Sequence, residues 1–204
     1  VEVESPDVSR GCDEGLFEKL DYSKIGNKAD FQPAAIHECG IGIFVWSTVM
    51  AYNGDKLKDG PKTWADFWDT KKFPGKRGLR KGARYNLEFA LMADGVKPNQ
   101  IYPIDLDRAF RKMDQIKPHI SVWWTTGAQS AQVLIDKEVV LGTAWHGRFY
   151  TAIKDGAPIA IDFNEGIIHR TPFGIPRGAK DAYWGQRFLA LLTDMDALRL
   201  HALL

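Results

Sequence analysis

Between Val133 and Glu165 the chain reads VLIDKEVVLGTAWHGRFYTAIKDGAPIAIDFNE, a run that admits few folds. It begins as the end of an amphipathic helix and turns at Asp136-Lys137-Glu138. The unbroken apolar run from Val139 to Ala144 predicts a strand covered on both faces. Trp145-His146-Gly147-Arg148 follows at that strand's carboxyl end. A helix starts there, turns Phe149, Ala152 and Ile153 inward, and stops at Asp155-Gly156. Ala157 to Phe163 reads as a second short strand, which makes the whole a βαβ-like unit. In open α/β sheets small ligands sit beyond the carboxyl ends of strands. Trp145, His146 and Arg148 stand at such an end and would offer an aromatic face and a cation.

The same alternation runs along the rest of the chain. Val1 to Ser5 alternates apolar and acidic residues as a half-buried strand does, and Ser9 to Asp21 carries Leu16, Phe17 and Leu20 at helical spacing. Gly40 to Tyr52 is a long β-rich run closed by the turn residues Asn53-Gly54-Asp55. Thr63 is placed to cap a short helix holding Trp64, Phe67 and Trp68. Arg77 to Arg80 reads as a strand and Ala83 to Asp94 as a helix. Asp105 to Ile116 is a helix with Leu106, Phe110 and Met113 on one face, stopped by Pro118. Ile120 to Trp124 is a strand, and Ala128 to Ile135 begins the next helix. Ile167 to Ile175 is a further strand, bent at Pro172. Asp181 to Leu192 is a helix with Phe188, Leu191 and Leu192 inward, followed by a helical tail to Leu204. Strands alternating with helices place the chain in the α/β class.

At 204 residues with 45% hydrophobic residues, a full core is within reach. A formal net charge of +1 gives no reason to expect a nucleic-acid or anionic-membrane partner. No run of about 18 apolar residues occurs, so no transmembrane helix is expected. Val1 is not an initiator methionine and no leader is evident, so the sequence reads as a mature, processed or truncated product. The phosphate-loop, dinucleotide, zinc-protease and nucleophile-elbow patterns are all missing. His37, Glu38 and Cys39 stand together. A structural zinc site needs four ligands, however, and the other histidines (119, 146, 169, 201) are scattered, so no metal and no cofactor are expected. Cys12 and Cys39 are the two cysteines. Their spacing alone fits either a disulfide or two buried thiols, and closing the loop would stabilise the fold by about 3 kcal/mol.

Aromatic and polar groups at strand ends remain. Thr125 to Gln129 place hydroxyls and free backbone N–H groups at a helix start, which suits a polar or anionic ligand group and equally an ordinary helix cap. Arg80, Lys81 and Arg84 read either as a solvated face or as a cationic pocket wall. Trp64, Trp68, Trp123 and Trp184 read as core, whereas Trp145 has polar neighbours.

Four ordered motifs carry a family resemblance. They are Trp64-Ala65-Asp66-Phe67-Trp68, Phe73-Pro74-Gly75-Lys76-Arg77-Gly78, Val139 to Arg148, and Gly174-Ile175-Pro176-Arg177-Gly178-Ala179-Lys180. Together they span nearly the whole chain, which resembles the periplasmic solute-binding proteins of ABC transporters, nearest the polyamine (spermidine/putrescine) type. The resemblance implies an α/β, two-lobed periplasmic binding protein fold (type II), incomplete here, since the family's signal peptide, first ligand-contacting segment and closing helices have no counterpart. It implies that Gly40–Tyr52 and Ile167–Ile175 cross between lobes, with residues 1–52 and 168–204 in the first lobe and 53–167 in the second. It implies a periplasmic address and with it a Cys12–Cys39 disulfide. It further implies a small polar solute held in the interlobe cleft, a membrane permease as partner, a monomer, and no enzymatic activity.

The family's polyamine binders place acidic residues after the first strand of the second lobe and on the returning crossover. This sequence has Lys81-Gly82-Ala83-Arg84-Tyr85 and His169-Arg170-Thr171 there. The resemblance therefore implies capture of a small polar solute more directly than it implies polyamines. The expected ligand set is Trp145, Arg148, Thr126, Gln129, Tyr85, Arg84, Trp46 and Arg170, with the solute anionic, zwitterionic or neutral. A solute-sensing receptor domain and an enzyme on the same scaffold are the alternatives.

Overall fold

The computed structural model describes residues 1–194, 196 and 198. The chain divides into two compact units, Ser47–Ile167 and, from its two ends, Val1–Trp46 with Ile168–Leu204. Two long strands, β2 (Gly40–Asn53) and β6 (Ile159–Phe173), pair with each other and pass through both divisions. The first division falls after Trp46 rather than Tyr52, because Thr48 to Tyr52 are paired with Trp145 to Leu141 of a strand in the middle unit.

In the Ser47–Ile167 unit the elements are α2 (Trp64–Trp68), β3 (Arg77–Arg80), α3 (Asn86–Ala93), α4 (Leu106–Ile116), β4 (Ile120–Trp124), α5 (Gly127–Ile135), β5 (Leu141–Trp145) and α6 (His146–Lys154). The strand order is β2-β5-β3-β4, with β3 parallel to both β5 and β4 and β2 antiparallel to β5. Side chains alternate across the sheet. Met50, Leu79 and Leu141 join one core with Trp64, Phe67, Phe89 and Leu91, while Val49, Val122 and Ala144 join a second with Leu134 and Phe149. Every residue of α3 is buried, as its apolar sequence requires.

Thr63 caps its helix as expected, its Oγ1 accepting the Asp66 N–H at 3.1 Å. Asp105, read as the first residue of its helix, caps it instead, its Oδ1 accepting the Arg108 N–H at 2.9 Å. Gly156 leaves α6 at φ +88°, a conformation glycine adopts without a Cβ clash. On α4, however, Leu106 and Phe110 are exposed, and Ala109 and Ile116 are the buried residues. The helix packs against α3, and its small and terminal apolar residues are buried rather than its largest ones.

The expected βαβ-like unit is corrected. The strand after α6 does not return beside β5. It pairs with β2 and runs from Ile159 through to Phe173, so the two strands foreseen at Ala157–Phe163 and Ile167–Ile175 are one. Glu165 interrupts it at φ +56°. Trp64 fixes that residue twice: its backbone N–H donates to Glu165 Oε2 at 2.8 Å, and its Nε1 donates to the Glu165 carbonyl at 2.9 Å. The parallel crossovers are instead β3 to β4 through α3 and α4, and β4 to β5 through α5.

In the other unit, α1 (Ser5–Asp13) starts where the sequence suggested a strand, because Pro6 fits a first helical turn. Glu2 keeps only an isolated bridge to Phe173. Beyond α1, Leu16 is exposed and Phe17 bridges Pro176, so the helix foreseen to Asp21 ends early. The strand β1 (Ile36–His37) pairs with the start of β2. A disulfide joins Cys12 in the last turn of α1 to Cys39 just before β2, with Cα atoms 5.6 Å apart. The helix α7 (Ala182–Leu192) buries Leu189, whereas Phe188 and Leu191, expected inward, and Trp184, expected in the core, are exposed beside Tyr183. Most of the helical tail expected to Leu204 lies outside the described residues.

Candidate ligand-binding site

Because β3, β4 and β5 are parallel, their carboxyl ends share one edge, and the loops after them gather there. The loop after β3 runs Lys81 to Tyr85. Lys81 N–H donates to the Trp124 carbonyl at 2.8 Å, and Asn86 Nδ2 donates to the carbonyls of Arg80 and Gly82, both at 2.7 Å. The loop ends at Tyr85, buried and left-handed at φ +67°. For a bulky residue that conformation costs about 1–3 kcal/mol and marks a loop whose shape is imposed by its surroundings. Arg84, half-buried, precedes it.

After β4, Thr126 caps α5. Its Oγ1 accepts the Gln129 N–H at 3.3 Å, and Gln129 Oε1 turns back to accept the Thr125 N–H at 3.0 Å. The expectation of free N–H groups at this helix start is corrected to that extent: these two are taken by the cap itself. Both side chains remain exposed.

After β5, Trp145 is half-buried. Its ring stands edge-on to Trp124, centroids 5.9 Å apart at 84°, and the Arg80 guanidinium lies 5.6 Å from its centroid, within cation–π range. Trp145 and Arg148 both press on Gly127, the first residue of α5. A Cβ there would fall 2.7 Å from Trp145 Cζ3 and 2.9 Å from Arg148 Nε. His146 turns away from this group: its Nδ1 accepts the Ser47 N–H at 3.1 Å, and its ring packs on Phe163.

Among the expected ligand residues, Trp145, Arg148, Thr126 and Gln129 thus meet around the start of α5, while Arg84 and Tyr85 lie on the neighbouring loop. Trp46 and Arg170 belong to the other unit. There the Trp46 indole N–H donates to Thr171 Oγ1, its ring lies tilted at 31° against His169 with centroids 4.0 Å apart, and Ser5 Oγ donates to the Arg170 carbonyl at 3.0 Å. Arg170 Nε is buried without a hydrogen-bond partner among the described residues. Arg80 and Gly127 were missing from the expected set. Arg80 ends a strand, which the sequence shows, but its contact with Trp145 depends on β3 lying between β4 and β5, and no local pattern encodes that order.

No acid occurs in the segments 80–87, 125–135 or 145–154 that build this edge. Among the described residues no cluster of three His, Cys, Asp or Glu side chains could hold a metal, and no helix is long and apolar enough to cross a membrane.

Residues 1–202 match the family model of the bacterial extracellular solute-binding proteins. The gamma-aminobutyric acid-binding protein of Pseudomonas aeruginosa is 47% identical over 199 residues, covering 95% of this chain and 56% of that protein. The spermidine/putrescine-binding periplasmic protein of Escherichia coli is 24% identical, covering 91% of this chain and again 56% of the relative. An ABC transporter substrate-binding protein from Bradyrhizobium japonicum USDA 110 superposes with a TM-score of 0.92 at 44% identity, over 98% of this chain and 64% of that one. The chain thus spans a little over half the length of these curated relatives. The fold is that of type II periplasmic binding proteins, present in part, and the relatives are solute-binding proteins rather than enzymes. The chain belongs to the family of bacterial extracellular solute-binding proteins.

Proposed function

We propose that this chain forms part of the periplasmic, monomeric substrate-binding component of an ABC transporter, which delivers a small carboxylate-bearing zwitterion of the 4-aminobutanoate class to its membrane permease. One observation carries the choice of solute: the cations Arg80 and Arg148 stand against Trp145 on an edge whose loops hold no acid. A guanidinium makes a bidentate, charge-assisted match to a carboxylate. A polyamine carries two or more positive charges, and desolvating it beside arginines would cost several kcal/mol. The Trp145 face suits the methylene segment of such a solute, and Arg84, Tyr85, Thr126 and Gln129 are the residues assigned to its polar contacts. The 47% identity to a protein named for gamma-aminobutyric acid, against 24% to one named for polyamines, supports the same direction.

Calorimetric titration of the full-length protein with 4-aminobutanoate, spermidine and putrescine tests this. Micromolar or tighter binding of 4-aminobutanoate is expected, with weak or undetectable heats from both polyamines. Tight spermidine binding with no response to the amino acid overturns the reading. Trp145→Ala should cost about 1–3 kcal/mol of affinity, the scale of a buried aromatic contact, with a smaller change in apo stability. Unchanged affinity in a badly destabilised variant would make Trp145 a core residue only.

A further inference from the structure

We infer that Gly127 is the positioning residue that sets solute specificity, because only a bare Cα at the start of α5 lets the Trp145 ring and the Arg148 guanidinium lie together against it. This rests on the reading of the strand-end edge as the place that receives the solute's carboxylate. A Cβ on Gly127 would stand 2.7 and 2.8 Å from Cζ3 and Cε3 of Trp145 and 2.9 Å from Arg148 Nε. Carbon atoms in favourable contact are about 3.5–4.0 Å apart, so a methyl group must displace both neighbours.

The Trp145 ring does not move without consequence, and an Arg148 that swings aside leaves the position beside it. Trp145 is held edge-on by Trp124, itself 1% exposed, and carries Arg80 at 5.6 Å from its centroid. Arg148 lies three residues further on, in the first turn of α6. Both side chains leave the β5–α6 corner and land on one residue of α5, so that residue fixes the separation between the aromatic plate and the cation. A solute with a carboxylate at one end and a methylene chain behind it reads that separation.

Backbone conformation does not explain this glycine. Gly127 is the first residue of a regular helix, and Thr126 caps it. Alanine is the better helix former at such a position. A glycine kept only for local structure would therefore tolerate alanine, whereas a glycine that seats Trp145 and Arg148 would lose affinity on the same change.

The test uses the full-length protein, with 4-aminobutanoate as the probe. Gly127→Ala should raise Kd at least ten-fold while the melting temperature changes little. In a Trp145→Phe background, which removes the ring edge that a Cβ would strike, the same change should cost less than three-fold, so the two effects are non-additive. Wild-type affinity in Gly127→Ala, or penalties that simply add, would overturn the inference. A second readout needs no solute. With 5-fluorotryptophan incorporated, the ¹⁹F resonance assigned to Trp145 by its loss in Trp145→Phe should shift in Gly127→Ala, and an unmoved resonance is equally fatal. If wild type fails to bind 4-aminobutanoate, the proposed solute is wrong and the fluorine resonance alone judges Gly127. If Gly127→Ala does not fold, Gly127→Ala/Trp145→Phe should, and failure of both rejects the seat.

Discussion

The Ser47–Ile167 unit and the unit formed by the two chain ends bury their apolar residues by different means. The former packs helices on both faces of a sheet and hides Trp64, Phe67, Phe89, Trp124 and Phe149 almost completely. The latter centres on five buried residues, Tyr22, Ile25, Ile41, Ile175 and Leu189, and adds a disulfide. Among the described residues, Trp184, Phe188 and Leu191 of α7 also stay exposed. A sheet covered on both faces supplies its own stability, whereas a small core relies on covalent constraint. The strand-end edge built from Arg80, Trp145 and Arg148 stands on the first kind of foundation. A binding geometry set by close contact needs such rigid support.

The sharpest way to break this contrast is at Arg77, which is fully buried at the start of β3. Its guanidinium donates to the carbonyls of Phe67, Asp69, Phe73 and Gly75, and so ties α2 and the loop after it to the sheet. Burial pulls its pKa below the ordinary arginine value, yet the group stays charged. Arg77→Ala leaves several buried carbonyls unpaired and a cavity beneath α2. A loss of about 3–5 kcal/mol is expected from urea unfolding at pH 7. A loss below about 1 kcal/mol would mean that this unit is not held by its own interior.

Much of this unit was legible in the sequence, and the reasons are local. Thr63 and Thr126 announce their helices because a cap acts within three residues, and Arg77–Arg80 and Ile120–Trp124 read as strands by their composition. What could not be read is tertiary. Ala157–Phe163 and Ile167–Ile175 looked like two strands because Asn164-Glu165-Gly166 is turn-like. The hydrogen bonds from Trp64 to Glu165 hold that turn-like residue inside one strand. Leu106, Phe110, Phe188 and Leu191 fit an inward stripe, yet packing chose the opposite or adjacent face of α4 and α7. At the site, Trp145 and Arg148 were visible as a strand-end cluster, but Gly127 was not, because close approach between distant segments leaves no trace in spacing.

A second test sharpens the contrast from the other side. Thiol titration of the denatured, unreduced protein should find no free thiol among Cys12 and Cys39, and two would remove the bond altogether. Cys12→Ser/Cys39→Ser should then cost about 3 kcal/mol, the scale expected for releasing a loop of this size in the unfolded chain. Hydrogen exchange should show the loss at Tyr22, Ile41 and Ile175, with Leu79, Leu91 and Leu141 retaining their protection. Equal loss at both sets would show that the two regions open as one cooperative body.

The smallest effect separates the units by pH. In the Ser47–Ile167 unit Asp66 Oδ1 receives Lys72 Nζ at 2.8 Å, and its Oδ2 receives the Lys62 N–H at 3.0 Å. The Lys72 hydrogen bond and then the Lys62 N–H hold its pKa below the usual carboxylate value, against the opposing effect of partial burial. Lys62 also pairs with Asp162, and its carbonyl receives Asn164 Nδ2, so this segment grips β6 just before Glu165. A carboxylate whose pKa is lower folded than unfolded binds fewer protons in the native state. Its stabilisation is complete above the unfolded value, near pH 3.9, and disappears as pH falls through the lower folded value. Asp66→Asn should therefore cost under about 1 kcal/mol at pH 7, since the pair is partly solvated. The difference from wild type should shrink steadily below about pH 4 and close once the wild-type carboxylate is protonated, because an amide and a neutral acid then differ little. Denaturation midpoints taken between pH 7 and pH 2.5 decide it. A gap that stays constant to the lowest pH would assign the effect to Asp66 shape rather than charge.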